Sequence, residues 1–155
     1  MKIKLLAVGE HMPAWVKQAY LEYAKRLPSS LTLELQEISL IKRSKNADLQ
    51  RLMRDEGKQM LASIAPTDKV IALTIDGQNY SSEELANEVK QWQAEGNNIA
   101  LLIGGPEGLT TECLARANNR WSLSNLTFPH QLVRIIIAEQ IYRAWTILQG
   151  HPYHR

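Results

Sequence analysis

The sequence predicts an α/β fold, in which a mostly parallel sheet is flanked by helices. Apolar runs typical of strands alternate along the chain with stretches whose apolar residues recur at helical spacing. The run Lys69–Ile75 is apolar enough for a strand buried on both faces, as parallel strands are. The 155 residues contain no visible repeat, linker or low-complexity segment, so we expect one domain, residues 1–155.

The first half of the chain predicts two strands and two helices. Lys2–Val8 reads as a strand, and residues 12–27 follow as a helix because their apolar residues form a helical stripe. Leu31–Ile38 alternates apolar and polar residues in the manner of a half-buried strand. The polar stretch 42–48 leads into a second helix that ends near Ala65.

A buried strand and a capped helix come next. Lys69–Ile75 is expected to close in a turn at Asp76 and Gly77. Ser81 and Glu84 have the spacing of a capping box, in which each side chain accepts a hydrogen bond from the other residue's backbone. The helix that begins there is predicted to run through Trp92.

The last third predicts a strand at Asn98–Gly104, a short helix at Thr110–Asn118, a brief strand at Trp121–Ser124 and a long helix at Gln131–Leu148. This final helix carries apolar residues all round, so it must be covered on two sides. The cover is either the rest of the fold or a second copy of the chain. We favour a two-fold dimer, in which the helix meets its mate.

Composition limits the class of protein. Eighteen basic and sixteen acidic residues leave a net charge of +2, too small to indicate a nucleic-acid partner by itself. The single cysteine, Cys113, excludes an internal disulfide and suits a reducing compartment. No apolar run approaches the roughly 18 residues of a membrane span, and the N-terminus lacks a signal-peptide pattern. We therefore expect a soluble, cytoplasmic protein without membrane contact.

The stretch LLIGGPEGL, residues 101–109, ends a strand with two glycines, a proline and a glutamate. No lysine or arginine occurs nearby, so the phosphate-loop pattern is absent, and the glycine spacing does not match the dinucleotide fingerprint. Glu107 favours a neutral, flat or cationic ligand held by backbone amides, such as a sulfonium cofactor. In the alternative interpretation, the glycines only let the strand turn, and Glu107 lies near the N-terminus of the next helix.

Three predicted strand ends are rich in small or polar residues: Leu73–Gly77, Ile103–Gly108 and Ser122–His130. Ligands of parallel sheets bind beyond the carboxyl ends of the strands. The Ser, Asn and Thr side chains of the third segment are able to bond adenine or ribose. A binding site where the three ends meet is therefore expected.

The segments LLIGGPEG, WSLSNLTFPH, LVRIIIAEQIYRAW and HPYHR together closely resemble the RlmH family, and the resemblance runs nearly from end to end. Members of this family are small bacterial SPOUT-class methyltransferases that modify a pseudouridine of 23S ribosomal RNA. The resemblance implies a C-terminal trefoil knot and S-adenosylmethionine as cofactor. It also implies methylation of N3 of a pseudouridine in the helix 69 loop, on assembled ribosomes.

The resemblance assigns the cofactor to residues at the three strand ends: Leu73, Gly104, Gly105, Leu123, Ser124, Asn125, Leu126, Thr127 and Phe128. For catalysis we select Glu139 and Arg143, which share a helix face at i and i+4; an ordinary helical salt bridge is the alternative. His154 is the third catalytic candidate, for contact with the target nucleotide. It belongs to a polar tail that, by the resemblance, folds over the cofactor pocket, its own or the partner's; a frayed terminus is the alternative. No metal is expected, because His151 and His154 lack further ligands.

Contacts with RNA must be local, since the net charge is low. Tyr23 and Arg26 belong to one group of basic and aromatic residues, and Arg43 and Lys45 to another. Solvated surface is the alternative for both groups. Two rival functions are a non-catalytic ribosome- or RNA-binding module and a transfer-RNA methyltransferase of the same superfamily. The residues leave open whether Glu139, His154 or water accepts the proton, and which protomer supplies each catalytic group.

Overall fold

A computed structural model describes residues 1–9 and 11–154 of the chain. The strands are β1 (Lys2–Val8), β2 (Thr32–Ile38), β3 (Lys69–Gln78), β4 (Ile99–Ile103) and β5 (Asn119–Trp121). The helices are α1 (Ala14–Ala24), α2 (Leu49–Ala62), α3 (Ser82–Glu95), α4 (Thr111–Arg116) and α5 (His130–Leu148), followed by a 3-10 turn at Pro152–His154. The strands form one sheet in the order β2-β1-β4-β3-β5, and every pair of neighbours is parallel.

Helices cover both faces of the sheet. On β1, Ile3 and Leu5 face one way and pack with buried residues of α1, α3 and α5. Leu6 and Val8 face the other way, toward α2 and α4. This alternation follows from the two-residue period of a strand. The predicted α/β class with a parallel sheet is therefore confirmed.

Local signals place the helix starts well. The Ser81 hydroxyl accepts a hydrogen bond from the Glu84 N–H at 3.1 Å, and the Glu84 carboxylate accepts one from the Ser81 N–H at 2.7 Å. The predicted capping box is thus confirmed. Asp48 caps α2 in a similar way, because its carboxylate accepts from the backbone N–H of Arg51.

Two predictions in the second half are wrong. Asp76 and Gly77 do not form a turn, since β3 continues through them to Gln78. A Cβ on Gly77 would lie 2.7 Å from the backbone of Trp121, so this glycine allows two strands to approach each other. The brief strand is Asn119–Trp121 instead of Trp121–Ser124, because it pairs with β3 from Ile71 onward.

The last helix is covered mainly by its own chain. Ile137 and Ile141 are fully buried in the core that α5 shares with α1 and α3. Leu132 on the outer side stays 37% exposed, so some apolar surface is left uncovered. Within the described part of the chain, no helix combines the length and apolarity needed to cross a bilayer. The trefoil knot stays a prediction.

Candidate functional site

A cavity lies beyond the carboxyl ends of the central strands. β3 pairs with β4 only as far as Ala72 and Leu102, and past that point the two strands separate. The gap opens into a cavity of about 220 Å³. All three segments singled out in the sequence contribute to its wall, together with the first turn of α5. The lining residues are Leu73, Thr74, Ile75, Ile103, Gly104, Gly105, Gly108, Leu109, Trp121, Ser122, Leu123, Ser124, Leu126, Thr127, Phe128, His130 and Val133.

The glycine loop is shaped by contacts with itself. A Cβ on Gly104 would lie 2.5 Å from the carbonyl carbon of Gly108, closer than real contacts allow. The N–H of Gly108 donates to the carbonyl of Gly105 at 3.0 Å, and Gly108 has a φ of +85°. Gly104 is therefore required by the reversal of the chain, and both Gly104 and Gly105 still present backbone to the cavity.

An ion cluster fixes the tip of this loop to the rest of the protein. Nη2 and Nε of Arg43 donate to the Glu107 carboxylate at 2.8 and 3.2 Å. The same guanidinium donates to both carboxylate oxygens of Glu56 on α2 and, at 2.6 Å, to the carbonyl of Ile41. We call Arg43, Glu56 and Glu107 the loop clamp. Glu107 thus pairs with Arg43, which is distant in the sequence. The hydrogen bonds from Arg43 hold the pKa of the Glu107 carboxyl below its ordinary range.

The cavity wall is mostly apolar side chains and bare backbone. The Thr74 hydroxyl is buried and has no hydrogen-bond partner within the described residues. Ser124 accepts from the N–H of Leu126 at 3.0 Å, and Ser122 donates to the carbonyl of Ser124 at 3.1 Å. The segment 122–126 is therefore held by its own hydroxyls, while Thr74 is left with an unused donor and acceptor.

One titratable side chain, His130, lies among the described residues of the wall. It begins α5 and packs over the end of β1, where a Cβ on Gly9 would lie 3.1 Å from its Nε2. Burial lowers the pKa of His130, and the positive charge of Arg134 lowers it further. Both effects favour the neutral form of the imidazole. His130 falls in the third of the predicted strand ends, but no pattern in the sequence indicates a role for it.

The catalytic candidates form a separate cluster near the end of α5. The Glu139 carboxylate accepts from Nη2 and Nε of Arg143 at 2.6 and 3.0 Å, and from the hydroxyl of Tyr153 at 3.1 Å. The guanidinium of Arg143 lies 5.2 Å from the centre of the Tyr153 ring. His154 follows with a buried Nδ1 that lacks a partner in the described residues. We call these four residues the tail cluster.

A sequence model of the family described as "Predicted SPOUT methyltransferase" matches residues 1–154. The chain belongs to the SPOUT methyltransferase family. Ribosomal RNA large subunit methyltransferase H of Stutzerimonas stutzeri (strain A1501) is 55% identical over 155 residues, which is the whole of both chains. The protein of the same name from Ectopseudomonas mendocina (strain ymp) is 54% identical over the same length. The resemblance to the RlmH family is therefore confirmed.

Two solved structures, of a probable and a putative methylase family protein, have folds similar to that of this chain. One, from Haemophilus influenzae Rd KW20, aligns with a TM-score of 0.57 and 13% identity, over 99% of this chain and 70% of its own. The other, from Neisseria gonorrhoeae, aligns with a TM-score of 0.53 and 16% identity, over 91% of this chain and 80% of its own. At such identities the likeness concerns the fold alone.

The cofactor residues expected for this SPOUT family member gather at one cavity, with a single exception. Leu73, the two adjacent glycines and most of the 123–128 segment line it, whereas the exposed Asn125 does not. The tail cluster lies elsewhere. Glu139 is six residues beyond Val133 on α5, which corresponds to about 9 Å along the helix axis. No described tail residue lines the cavity of its own chain, and Arg155 is outside the described residues.

The two groups proposed for RNA have different surroundings. The guanidinium of Arg26 lies 5.6 Å from the ring centre of Tyr23 and 5.5 Å from that of Tyr142, which itself packs on Tyr153 at 4.7 Å. The first group therefore adjoins the tail cluster. In the second group Lys45 is exposed, but the guanidinium of Arg43 is engaged by the loop clamp. The structure thus gives Arg43 other partners than a phosphate.

Proposed function

We propose that this protein is an S-adenosylmethionine-dependent methyltransferase that methylates N3 of a pseudouridine in the helix 69 loop of 23S ribosomal RNA, on assembled ribosomes. The observation that carries the proposal is identity of 54–55% along the full length of relatives named ribosomal RNA large subunit methyltransferase H. The cavity at the ends of β3, β4 and β5 supports it. A protein that acts on ribosomes would be located in the cytoplasm. We also propose that residues 1–155 form a single domain.

The residues of the cavity fit S-adenosylmethionine. Its wall offers apolar surface and exposed backbone to an adenine ring, and the Thr74 hydroxyl has an unused hydrogen-bonding capacity. The described wall has no lysine or arginine, so it does not select for a phosphate. Leu73, Gly104, Gly105 and the segment 123–128 would hold the cofactor, which supplies a methyl group on a cationic sulphur.

Catalysis requires chiefly that the two reactants are aligned. Well-oriented reactants correspond to effective molarities of roughly 10⁵–10⁸ M, so a rigid cavity accounts for much of the rate. The loop clamp and the hydroxyls of segment 122–126 provide this rigidity. In the tail cluster, Arg143 would bind a phosphate or the uracil carbonyls. Glu139 would orient the target base, and His154 would contact the target nucleotide.

We infer that the protein acts as a homodimer through α5. Within one chain the tail cluster is separated from the cavity along the helix, so one copy does not bring them together. Leu132, which is 37% exposed on α5, offers apolar surface to a mate. A two-fold axis at this helix would deliver one protomer's tail toward its partner's cavity.

Contacts with RNA would come from Tyr23, Arg26 and Lys45. The first two adjoin the tail cluster through Tyr142, so a base stacked on them would lie near the catalytic candidates. Lys45 is exposed and free of the loop clamp. Arg43 is better described as part of that clamp than as an RNA contact.

The test is methyl transfer from labelled S-adenosylmethionine to three substrates in parallel: intact ribosomes, free 23S RNA and transfer RNA. We expect label on ribosomes only, at a single pseudouridine when the RNA is digested and analysed by mass spectrometry. Label on transfer RNA alone would identify the rival methyltransferase. Ribosome binding without transfer to any of the three would identify a non-catalytic binding module.

A further inference from the structure

Methylation of an imide nitrogen requires a proton acceptor. N3 of a uracil-type base carries a hydrogen at neutral pH, and its lone pair becomes nucleophilic only as that hydrogen leaves. The group that accepts it must lie within hydrogen-bond reach of N3, or be connected to N3 by one water. The sequence offered Glu139, His154 or water for this role, and the structure adds another candidate.

His130 is the titratable side chain that the described wall of the cavity contains. Glu139, by contrast, already accepts hydrogen bonds from Arg143 and Tyr153, and it lies outside the cavity of its own chain. Both of its carboxylate oxygens therefore already have hydrogen-bond donors within the chain, Oε1 from Arg143 and Tyr153 and Oε2 from Gln140. Within one protomer, position therefore favours the imidazole of His130.

We propose that His130 is the proton acceptor of the reaction. This inference rests on the proposed function. As N3 forms its bond to the methyl carbon, the bond from that carbon to sulphur breaks and its electron pair stays on sulphur. The N3 proton passes to the imidazole of His130, directly or through one water. The cationic sulphur becomes neutral and the imidazole becomes cationic, so charge is conserved.

The surroundings of His130 keep it ready for this role. Arg134, one turn further along α5, is fully buried and donates to the carbonyl of Gly9 and to Glu37 of β2, both at 2.9 Å. Among the described residues, Arg134 is the charged group that acts on the His130 ring; its guanidinium is paired with Glu37, and Gln131 beside the ring is neutral. Burial of the ring, and after it the fixed cation of Arg134, lower the pKa of His130 and so disfavour imidazolium in the free protein. The neutral ring is therefore available without prior loss of a proton.

The test compares His130→Asn and His130→Gln with the control His11→Asn. His11 is exposed, is not part of the cavity wall, and has a φ of 61°, which asparagine tolerates. Single-turnover methyl transfer to ribosomes is measured from pH 5.5 to 9, and calorimetry measures the affinity for S-adenosylmethionine. A thermal melt checks that each variant is folded. Nuclear magnetic resonance of the wild type gives the pKa of the His130 ring without any ligand.

We expect the wild-type rate to level off at neutral pH. The two His130 variants should lose about 10²-fold or more at pH 7. Their rate should then rise about tenfold per pH unit, because hydroxide must remove the proton. Added imidazole should restore part of the rate, and affinity for the cofactor should change by less than about threefold, as in the control.

Three results would overturn the inference: a variant within threefold of the wild type, a lowered rate whose pH profile is unchanged, or a free-protein pKa above 7 for His130. The second result would mean that His130 only shapes the cavity. Failure of the wild type itself to bind S-adenosylmethionine or to label ribosomes would refute the proposed function, and with it this inference. The two failures are therefore distinguishable.

Discussion

Removal of the loop clamp should destabilise the protein measurably. The Glu56 side chain is 5% exposed. In Arg43→Met it loses its ion-pair partner and retains the hydrogen bond, of 2.9 Å, from the backbone N–H of Ile41. Removing one partner of a buried pair costs about 3–5 kcal/mol, and of an exposed pair about 0–1 kcal/mol. Because Arg43 and Glu107 are 21% and 24% exposed, we expect a loss between these limits, about 2–3 kcal/mol. That corresponds to a Tm lower by about 5–10 °C for a chain of this length.

The assay is urea unfolding followed by circular dichroism at one fixed protein concentration, since a dimer's stability depends on concentration. Lys45→Met, in the same segment but exposed, is the control and should stay within about 0.5 kcal/mol of the wild type. Glu107→Gln should cost about 1 kcal/mol, because it removes one charge at the more exposed end. An Arg43→Met protein as stable as the control would show that the loop clamp does not stabilise the fold.

The same clamp predicts a dependence on pH. Arg43 lowers the pKa of Glu107, so the pair contributes its full stability above the ordinary carboxyl pKa, and loses it as pH falls through the lowered value. The difference between wild type and Glu107→Gln should therefore shrink below about pH 4. A difference that stays constant down to pH 3 would contradict this assignment of the pair.

Three further predictions concern ligands. Gly104→Ala should weaken S-adenosylmethionine binding at least about tenfold in calorimetry, whereas Gly105→Ala, with its nearest contact the Val8 side chain at 3.2 Å, should change it less than threefold. Equal effects would contradict the loop geometry. Deletion of residues 153–155 should abolish methylation while light scattering still reports a dimer; full activity would exclude the tail from catalysis. Lys45→Glu should weaken ribosome binding and reduce its salt slope by about one, and an unchanged slope would remove Lys45 from the interface.

Much of the fold follows from local patterns. The capping box at Ser81 and Glu84 is a short-range signal, and the structure forms both of its hydrogen bonds. The strand β1, Lys2–Val8, has the predicted limits. The Asp76-Gly77 turn failed because the same dipeptide serves a different purpose, close passage of β3 along Trp121. That role depends on a partner more than 40 positions away, which local sequence does not reveal.

The site shows the same division. Strand ends of a parallel sheet converge by rule, so the meeting of the three segments was accessible from the sequence. The sequence did not reveal why residue 104 must be glycine, because the constraint comes from Gly108, which folds back onto it. The sequence also did not reveal the pairing of Arg43 with Glu107, which lie 64 positions apart. This pairing gives Arg43, in a segment predicted to contact RNA, a structural role instead. Long-range pairings of charged residues have no periodic signature in a single sequence.

The binding of the methyl donor in this cavity is tested by titrating S-adenosylmethionine into uniformly ¹⁵N-labelled protein and recording the backbone amide resonances. If the cavity at the ends of β3, β4 and β5 holds the methyl donor, the largest shifts should fall at residues 73–75, 104–105 and 123–128. Saturable shifts confined to these segments are the predicted result. Shifts confined to other parts of the chain would mean that the cavity does not hold the methyl donor. The absence of any shift at millimolar cofactor, with ribosomes present, would mean the same.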